Sequence, residues 1–499
     1  MSVLTPHHIT SLFTDLVDVK INDVFFDPAC GTGAFLIAGM QKLIELINNN
    51  PETVNKQEKI DAIRKNQLIG FEKNTMMYTL AISNMLFRGD GKSHIFNEDF
   101  FSKEADDELI SLKNDGLRPT IGFVNPPYGG GGLENKKNPT PKEIEFLVKM
   151  LDLCSRYCVI IAPLSTYCKD TEIRNKILSK HTLKYVINMP KNLFMPNAAT
   201  NRSIAVFETF KPQGETETIF FDLKDDGYVL TKNRGRYDLF NKWTTIKKDL
   251  IVKISNPSLY ANDLTLVKSK IRRNSEWLIQ DYSKTDYGNL STKSFINTIK
   301  KYLSYIAESK LDLFGKNIDS LTLGELVVKY FNLEISKVGE EVKHCDTSLW
   351  KEFSLYNQYF DMAAGKYYPV TDFEYGETPL ISASNKNNGV MAFTNMAPVY
   401  RQECLTIGKV DMSVFYQSQP FCATSDVTIL IPKCSFNKYI AMFMITMISQ
   451  EGYKWSYGRQ IRLNDSQDLI VRLPSNSKGD PDWIYMENFI KKLPYSDKL

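Results

Sequence analysis

The chain has 499 residues, 43% of them hydrophobic and 24% charged, which suits two to four packed domains of a soluble globular protein. Its net charge of +3 is too small to argue for nucleic-acid binding by itself, since a basic groove can be offset by acidic surface elsewhere. Residues 1–9 lack the basic-then-apolar order of a targeting signal and the most apolar helical stretch, 439–448, is too short to span a bilayer, so a cytoplasmic protein with no membrane contact and eight reduced cysteines is expected.

Thr5-Pro6 opens the first predicted helix, with threonine as the cap and proline at the first helical position. Ile9, Leu12, Phe13, Leu16 and Val17 then recur at helical spacing. The adjacent His7 and His8 point different ways on that helix. A short buried strand at 23–26 runs into the turn Gly31-Thr32-Gly33 and a helix to about Asn49, the strand–turn–helix opening of a doubly wound fold. Strands at 68–71, 95–96 and 120–124 follow, with a helix at 76–87. The last of these strands ends in Asn125-Pro126-Pro127-Tyr128 and then four glycines, Gly129 to Gly132. Thr140, Pro141 and Glu143 read as a capping-box start for a helix through Cys154. Cys154 and Cys158 stand at helical spacing, but no second Cys or His pair accompanies them, so no metal site is expected. Strands are predicted at 157–162, 184–189, 203–210 and 218–221, the last two as an antiparallel hairpin at one sheet edge.

Beyond about Lys224 the α/β rhythm stops. Residues 256–343 are polar, with helical patches such as Phe295, Ile296, Ile299, Tyr302, Leu303 and Ile306. From about Trp350, short aromatic and β-branched runs alternate with Gly, Asn and Pro, interrupted by one helix at about 437–451. The expected organisation is an α/β domain over 1–225, a helical connector over 226–349, and a mostly β (α+β) domain over 350–499.

Asp27-Pro28-Ala29-Cys30-Gly31-Thr32-Gly33 ends a strand and begins a helix, where glycines let the backbone approach a ligand closely. It is neither the three-glycine dinucleotide fingerprint nor a phosphate loop ending in Gly-Lys-Ser/Thr. A small zwitterion, such as the methionine end of S-adenosylmethionine, suits such a turn with backbone donors and one nearby carboxylate. Glu72, ending the second strand, is placed for ribose hydroxyls. Asp99, after the third, is placed to accept from an adenine amino group, with Phe100 against the ring. Any one of these acids alone reads as a solvated loop residue. In order, at successive strand ends, they argue for a nucleoside cofactor.

The tetrapeptide at the fourth strand end fits attack by an exocyclic adenine amine. That nitrogen is a poor nucleophile because its lone pair is delocalised into the ring. The Asn125 side-chain oxygen and the Pro126 carbonyl can accept its hydrogens and draw it towards tetrahedral geometry. Pro126 and Pro127 stiffen the backbone, and Tyr128 offers a stacking face. A base in a duplex must be flipped out to reach such a pocket, so a second aromatic is needed, and Phe194 is the candidate. In isolation the tetrapeptide reads as a proline-rich turn and Phe194 as a core residue.

Together these residues resemble the γ-class N6-adenine DNA methyltransferases, especially type I restriction–modification methylation subunits and the methylase part of type IIG enzymes. Thr5-Pro6 with Ile9 is similar to their N-terminal cofactor motif and Asp27 to Gly33 to their main cofactor loop. Glu72 and Asp99 are similar to the ribose and adenine contacts, Asn125 to Tyr128 to the catalytic motif. Phe194 to Phe207, with Thr200, Asn201 and Ser203, is similar to the base-stacking motif. The likeness covers about 1–210 and implies a Rossmann-like S-adenosylmethionine-dependent methyltransferase sheet. It implies cofactor contacts from Thr5, Asp27, Pro28, Ala29, Gly31, Gly33, Glu72, Asp99, Phe100 and Asn125.

Residues 350–475 resemble the target-recognition domain of type I specificity subunits and type IIG enzymes. The likeness rests on Thr378 to Ser384, Asn388-Gly389-Val390, Leu405 to Gly408, Tyr416 to Phe421, and Tyr457-Gly458-Arg459 leading to Leu473-Pro474. It implies double-stranded DNA as partner, with Lys409, Arg459 and Arg462 as candidate DNA contacts. The first motif begins at Thr5, leaving no room for the helical domain that usually precedes it. No nuclease motif is found, so cleavage by this chain is not expected; a separate restriction subunit or a homodimer is compatible with it. Two other readings stay open: a methyltransferase acting on RNA or protein glutamine, and a non-catalytic DNA-binding remnant.

Overall fold

Short strands that are apolar throughout, rather than alternating, belong to parallel sheets covered on both faces. β1 (Phe25–Asp27), β2 (Leu68–Phe71) and β4 (Ile121–Val124) are of this kind and are buried along their length, with β3 (His94–Phe96) beside β2. In the computed structural model, which describes residues 4–89, 94–128, 142–169, 171–195, 201–232, 235–272, 274–311, 325, 328–331, 342–368, 374–456 and 458–499, β1 lies between β2 and β4 and runs parallel to both. Gly129 to Gly132, Thr140, Pro141, Pro196, Asn197, Thr200 and Tyr457 lie outside the described residues.

α1 (His7–Asp15) and α2 (Ala34–Asn49) cover one face of this sheet, where Phe13 and Phe35 pack on Phe123. The chain continues through α3 (Lys56–Asn66), α4 (Thr75–Leu86), α5 (Lys103–Asn114) and α6 (Lys142–Leu153). On the other face Phe26 and Phe71 meet Phe100, which in turn stacks on Phe146 of α6. α3 and α5 were not expected from the sequence. Their apolar periodicity is thin: α3 buries Ile63, and α5 buries Ala105, Leu109 and Leu112.

β5 (Tyr157–Pro163) is followed by α7 (Leu164–Cys168), α8 (Thr171–Lys180), β6 (Thr182–Asn188), β7 (Arg202–Glu208) and β8 (Glu217–Asp222). The hairpin expected between the last two does not form. β7 inserts antiparallel between β5 and β6, and β8 runs parallel to β6. β7 is buried at nearly every position, which suits a central strand, whereas β8 has exposed and half-buried positions nearer the edge. The sheet order is β3-β2-β1-β4-β5-β7-β6-β8, with a further strand beyond β8. This is the doubly wound order of the Rossmann class with one antiparallel strand inserted.

The chain divides into two compact units, 1–283 and 284–499, so the boundary falls inside the stretch read as a helical connector. Residues 226–283 belong to the first unit and are not purely helical. They form the small ribbon β9 (Val229–Thr231) and β10 (Gly235–Tyr237), then α9 (Trp243–Ser255), then β11 (Leu266–Lys270). β11 is the extra edge strand on β8; it buries Leu266 and keeps its lysines wet, so its polar sequence hid it.

In the second unit, α10 (Thr292–Lys310) carries the expected apolar stripe, with Phe295, Ile299 and Leu303 buried. Its β elements are β12 (Lys351–Ser354), β13 (Phe360–Ala364), β14 (Tyr375–Ile381), β15 (Val390–Thr394), β16 (Cys404–Gly408), β17 (Val414–Gln417), β18 (Cys422–Ala423), β19 (Val427–Pro432) and β20 (Ile470–Leu473). They pair as β13-β19-β16-β17, β15-β14-β18 and β12-β20. The helix α11 (Lys438–Ser449), capped by the Asn437 side chain, is buried from Ile440 to Ile448. α12 (Leu463–Gln467) and α13 (Trp483–Lys491) complete the unit. Among the described residues no helix is long and apolar enough to cross a membrane.

Gly39 on α2 faces the Phe25 ring, and a Cβ there would stand 2.6 Å from a ring carbon. Gly39→Ala is therefore expected to cost about 1–3 kcal/mol through overpacking, despite alanine's better helix propensity. Urea unfolding checks this; an unchanged or raised midpoint would show that the helix–strand contact yields freely.

Candidate functional site

Parallel strands bring successive loops to one edge. Asp27 at the end of β1 lies opposite Gly70 of β2, and Phe26 lies opposite Gly122 of β4. The loop after β1 turns through Gly31 (φ 55°) and Gly33 (φ 79°), a conformation that suits glycine, and delivers the chain into α2. The Gly31 amide donates to Glu72 Oε2 at 2.9 Å, and the Asn74 amide to Glu72 Oε1 at 2.8 Å. Glu72 thus ties the β1 loop to the β2 loop.

Asp27 is fully buried. Its Oδ1 accepts from the Ala29 amide at 3.0 Å, while Oδ2 has no hydrogen-bond partner among the described residues. Burial, with the nearby Glu72 charge, outweighs the Ala29 hydrogen bond and pushes its pKa up to about 8. A buried carboxyl oxygen with nothing to bind, beside a loop of backbone donors, fits an incoming cationic or zwitterionic group. Burial also pushes the Cys30 thiol up, so it is no nucleophile.

Asp99 follows β3. Lys73 Nζ sits 2.7 Å from its Oδ2, and the Phe101 amide donates to its Oδ1 at 3.1 Å. Partial burial raises its pKa, but these hydrogen bonds and the lysine charge outweigh it and the net shift is downward. Phe100 is 1% exposed, inside the core, whereas Phe101 is 43% exposed. Phe100 and Phe101 both line the cavity described below: the Phe100 ring is engaged with Phe26, Phe71 and Phe146, and Phe101 is the more exposed of the two.

Asn125 follows β4. Its Nδ2 donates to Thr5 Oγ1 at 2.8 Å, which turns Oδ1 the other way, towards the Tyr128 hydroxyl that donates to it. The Thr5 hydroxyl therefore does not cap α1, as the sequence suggested. The helix starts at His7, with Pro6 in the cap position and its carbonyl accepting from Ile9 and Thr10. Pro28, Ala29, Glu72, Asp99, Phe101 and Asn125 to Tyr128 all line one cavity of about 1460 Å³ that extends along α6 and α8. That exceeds the space of roughly 300–1,000 Å³ that holds a single small ligand.

Phe194 lies on the segment after β6 and is 4% exposed. Asp226 holds this segment in place indirectly. That buried carboxylate accepts from Arg236 at 2.9 Å and pairs with His8 Nε2 at 3.1 Å. Arg236 also donates to the Leu193 carbonyl at 3.1 Å and to Asn192 Oδ1 at 3.2 Å. His8 stacks on Tyr228 with ring centres 3.9 Å apart, while His7 is exposed. One buried cluster thus anchors both α1, beside Thr5, and the Phe194 segment. Asn201 and Ser203 serve backbone and sheet: the Asn201 carbonyl accepts from Leu164, and Ser203 Oγ donates to Asn188 Oδ1 at 2.6 Å.

The structure separates the three basic candidates of the second unit. Lys409 is paired with Asp426 at 2.8 Å, and Arg462 is exposed beside the start of α12. Arg459 is 6% exposed, with its guanidinium 4.1 Å from the Trp455 ring centre and donating to the Lys454 carbonyl. As an outward DNA contact Arg459 is corrected: it braces the turn before α12. Asn388, at φ 54°, is also internal and donates to the Tyr416 carbonyl at 2.8 Å. Sequence reasoning missed Lys73, Phe101 and Arg202 at the first site. The Lys73 position next to Glu72 and the doubled aromatic at 100–101 were the available signals.

Residues 2–242 match the family model described as N-6 DNA Methylase. The chain is 31% identical over 313 residues to the Type II restriction enzyme and methyltransferase RM.BcgI of Heyndrickxia coagulans, covering 61% of this chain and 46% of that one. It is 24% identical over 169 residues to the BcgI specificity subunit of the same organism, covering 33% of this chain and 49% of that one. A solved nuclease-deletion mutant of the Type ISP restriction–modification enzyme LlaGI, in complex with a DNA substrate mimic, covers 98% of this chain and 46% of its own at 12% identity and a TM-score of 0.45. The chain spans about half the length of the curated relatives it matches.

The raised pKa of Asp27 means that the ligand-free fold holds a proton that the unfolded chain releases near 3.8. The associated stability is fully present below that value and is lost as pH rises through about 8. The melting temperature of the ligand-free protein should fall across this window, and the fall should be shallower in Asp27→Asn. Parallel curves for the two proteins would show that the buried carboxyl is already ionised.

Proposed function

We propose, on the premise that residues 2–242 are an N-6 DNA methylase domain, that the chain is a site-specific DNA methyltransferase acting on the exocyclic N6 of adenine. The observation that carries this reading is the convergence of Asn125 to Tyr128 with Glu72 and Asp99 on one cavity, Asn125 Oδ1 being turned away from its Thr5 anchor.

S-adenosylmethionine fits the first three loops. The unpaired oxygen of Asp27, the Glu72 and Asp99 carboxylates and the open face of Phe101 are the donor, acceptor and stacking types that its charged end, ribose and adenine need. Pro28, Ala29, Gly31 and Gly33 supply the close backbone approach. When bound, the cofactor supplies an electrophilic methyl group.

This chain's own part is to hold the acceptor. Asn125 Oδ1 and the Pro126 carbonyl take the hydrogens of the target amine, which localises the nitrogen lone pair and aims it. Pro126 and Pro127 keep that carbonyl still, so little reorganisation is needed as charge develops. Tyr128 and Phe194 stack the flipped base. Asn125 is too weak a base to keep the displaced proton, which passes to solvent after transfer.

The second unit reads the target sequence. The similarity to a specificity subunit supports duplex DNA over RNA or protein as acceptor. Lys409 and Arg462 remain candidate DNA contacts. The chain works in the cytoplasm as the modification component of a restriction–modification system, alone, as a homodimer or with a separate restriction subunit.

Asn125→Ala should lower methyl transfer by on the order of 10²–10³-fold or more, with cofactor affinity nearly intact. Long-read detection of N6-methyladenine in DNA from expressing cells, alongside cofactor titration, reads both. Near-normal marking by the variant would sink the mechanism. Exchanging residues 350–475 for those of a relative should move the modified sequence; an unmoved sequence would refute the recognition role.

A further inference from the structure

Two aromatic rings flank one guanidinium at the edge of the sheet where the catalytic tetrapeptide lies. Arg202 Cζ stands 3.9 Å from the Phe194 ring centre and 4.8 Å from the Tyr128 ring centre. Both separations are those of a cation over an aromatic face. The side chain is 2% exposed, so this is a buried arrangement rather than a surface contact. The Tyr128 hydroxyl, beside this guanidinium, donates to Asn125 Oδ1.

These are the positions that the proposed reaction assigns to the substrate. Tyr128 and Phe194 are the rings that stack the target base, and Asn125 Oδ1 is an acceptor for its amine. In the DNA-free protein a flat group bearing N–H donors already lies between those rings, and a hydroxyl already satisfies that acceptor. A guanidinium is planar and delocalised, stacks on aromatic faces and presents its donors in one plane, as the amine-bearing edge of adenine does. A gap between two rings with nothing in it would lose dispersion contacts on both sides and would tend to collapse.

We infer that Arg202 is a residue of the target-base pocket, whose guanidinium occupies the place between Tyr128 and Phe194 in the DNA-free protein and leaves it when the flipped adenine enters. The inference rests on the reading of those two rings as the base stack. The backbone supports such an exchange. Arg202 begins β7, pairs with Pro163 of β5, and its carbonyl accepts from the Met189 amide at 2.9 Å, so the main chain is held in place while the side chain exchanges with the base. Release of Tyr128 from Arg202 frees its hydroxyl to leave Asn125 Oδ1, so entry of the base and exposure of the catalytic acceptor become one event. A base that stacks weakly does not displace the cation, which adds a threshold to acceptor choice.

The test reads binding of free adenine, not methyl transfer. Radiolabelled adenine is dialysed against the full chain with saturating S-adenosylhomocysteine, which blocks the cofactor's own adenine site. Arg202→Ala should bind adenine about ten-fold or more tightly than the unsubstituted protein, the worth of a base stacked on an aromatic ring. The gain should vanish in Arg202→Ala/Phe194→Ala. No gain, or a gain that survives loss of Phe194, overturns the inference. If Arg202→Ala does not bind S-adenosylhomocysteine and so has not folded, Arg202→Lys, which keeps the charge but not the flat fork, should show a smaller gain; affinity equal to that of the unsubstituted protein then overturns it. Absence of adenine methylation by the unsubstituted protein would refute the functional reading, whereas methylation without the adenine gain would refute the role of Arg202 alone.

Discussion

The parallel pairing of β1 with β2 on one side and β4 on the other is the constraint on which the site depends. Parallel neighbours must be joined by crossovers, so each strand's C-terminal end falls on the same edge of the sheet. Asp27, Glu72 and Asn125 are therefore brought together although each is 45 positions or more from the next in the sequence. The register also demands small residues: Gly70 and Gly122 stand opposite β1, and side chains from α2 and α6 close over them. The same packing that stabilises the sheet sets the spacing of the loops.

A second layer of order comes from buried polar groups. An isolated carboxylate inside a protein is costly, and Asp226 is tolerated because Arg236 and His8 both contact it. Burial raises the Asp226 pKa, but these two partners outweigh it and hold the group ionised. Because Arg236 also binds the segment bearing Phe194, and His8 belongs to α1, the cluster couples that segment to the helix next to Thr5. Thr5 in turn sets the orientation of the Asn125 amide. The acceptor geometry is thus held by partners far from it in sequence, which is how a site avoids reorganising during reaction.

The acidic residues that follow β1 and β3 are not equivalent. Burial and the nearby Glu72 push Asp27 towards neutrality, while Asp99 keeps its charge through Lys73.

Much of this was readable from local patterns. The apolar strands, the glycine turn into α2, the acids at strand ends, the tetrapeptide at 125–128 and the helix at about 437–451 all follow from spacing, turn chemistry and residue type, which act over a few residues. Other features were beyond such signals. The insertion of β7 between β5 and β6 depends on which strand edges are left to pair. The greater exposure of Phe101 than of Phe100 depends on how one turn meets the core. The burial of Arg459 against Trp455, and of Arg202 between Phe194 and Tyr128, depends on what packs around each cation. Sequence by itself determined the kinds of element and the chemistry available at their ends, because backbone preference and side-chain type are local properties. Only the tertiary structure decided strand order, the partner of Thr5 and the occupant of the aromatic gap, because each is a contact between residues distant in the chain, up to 120 positions for Thr5 and Asn125, and such contacts leave no periodic trace.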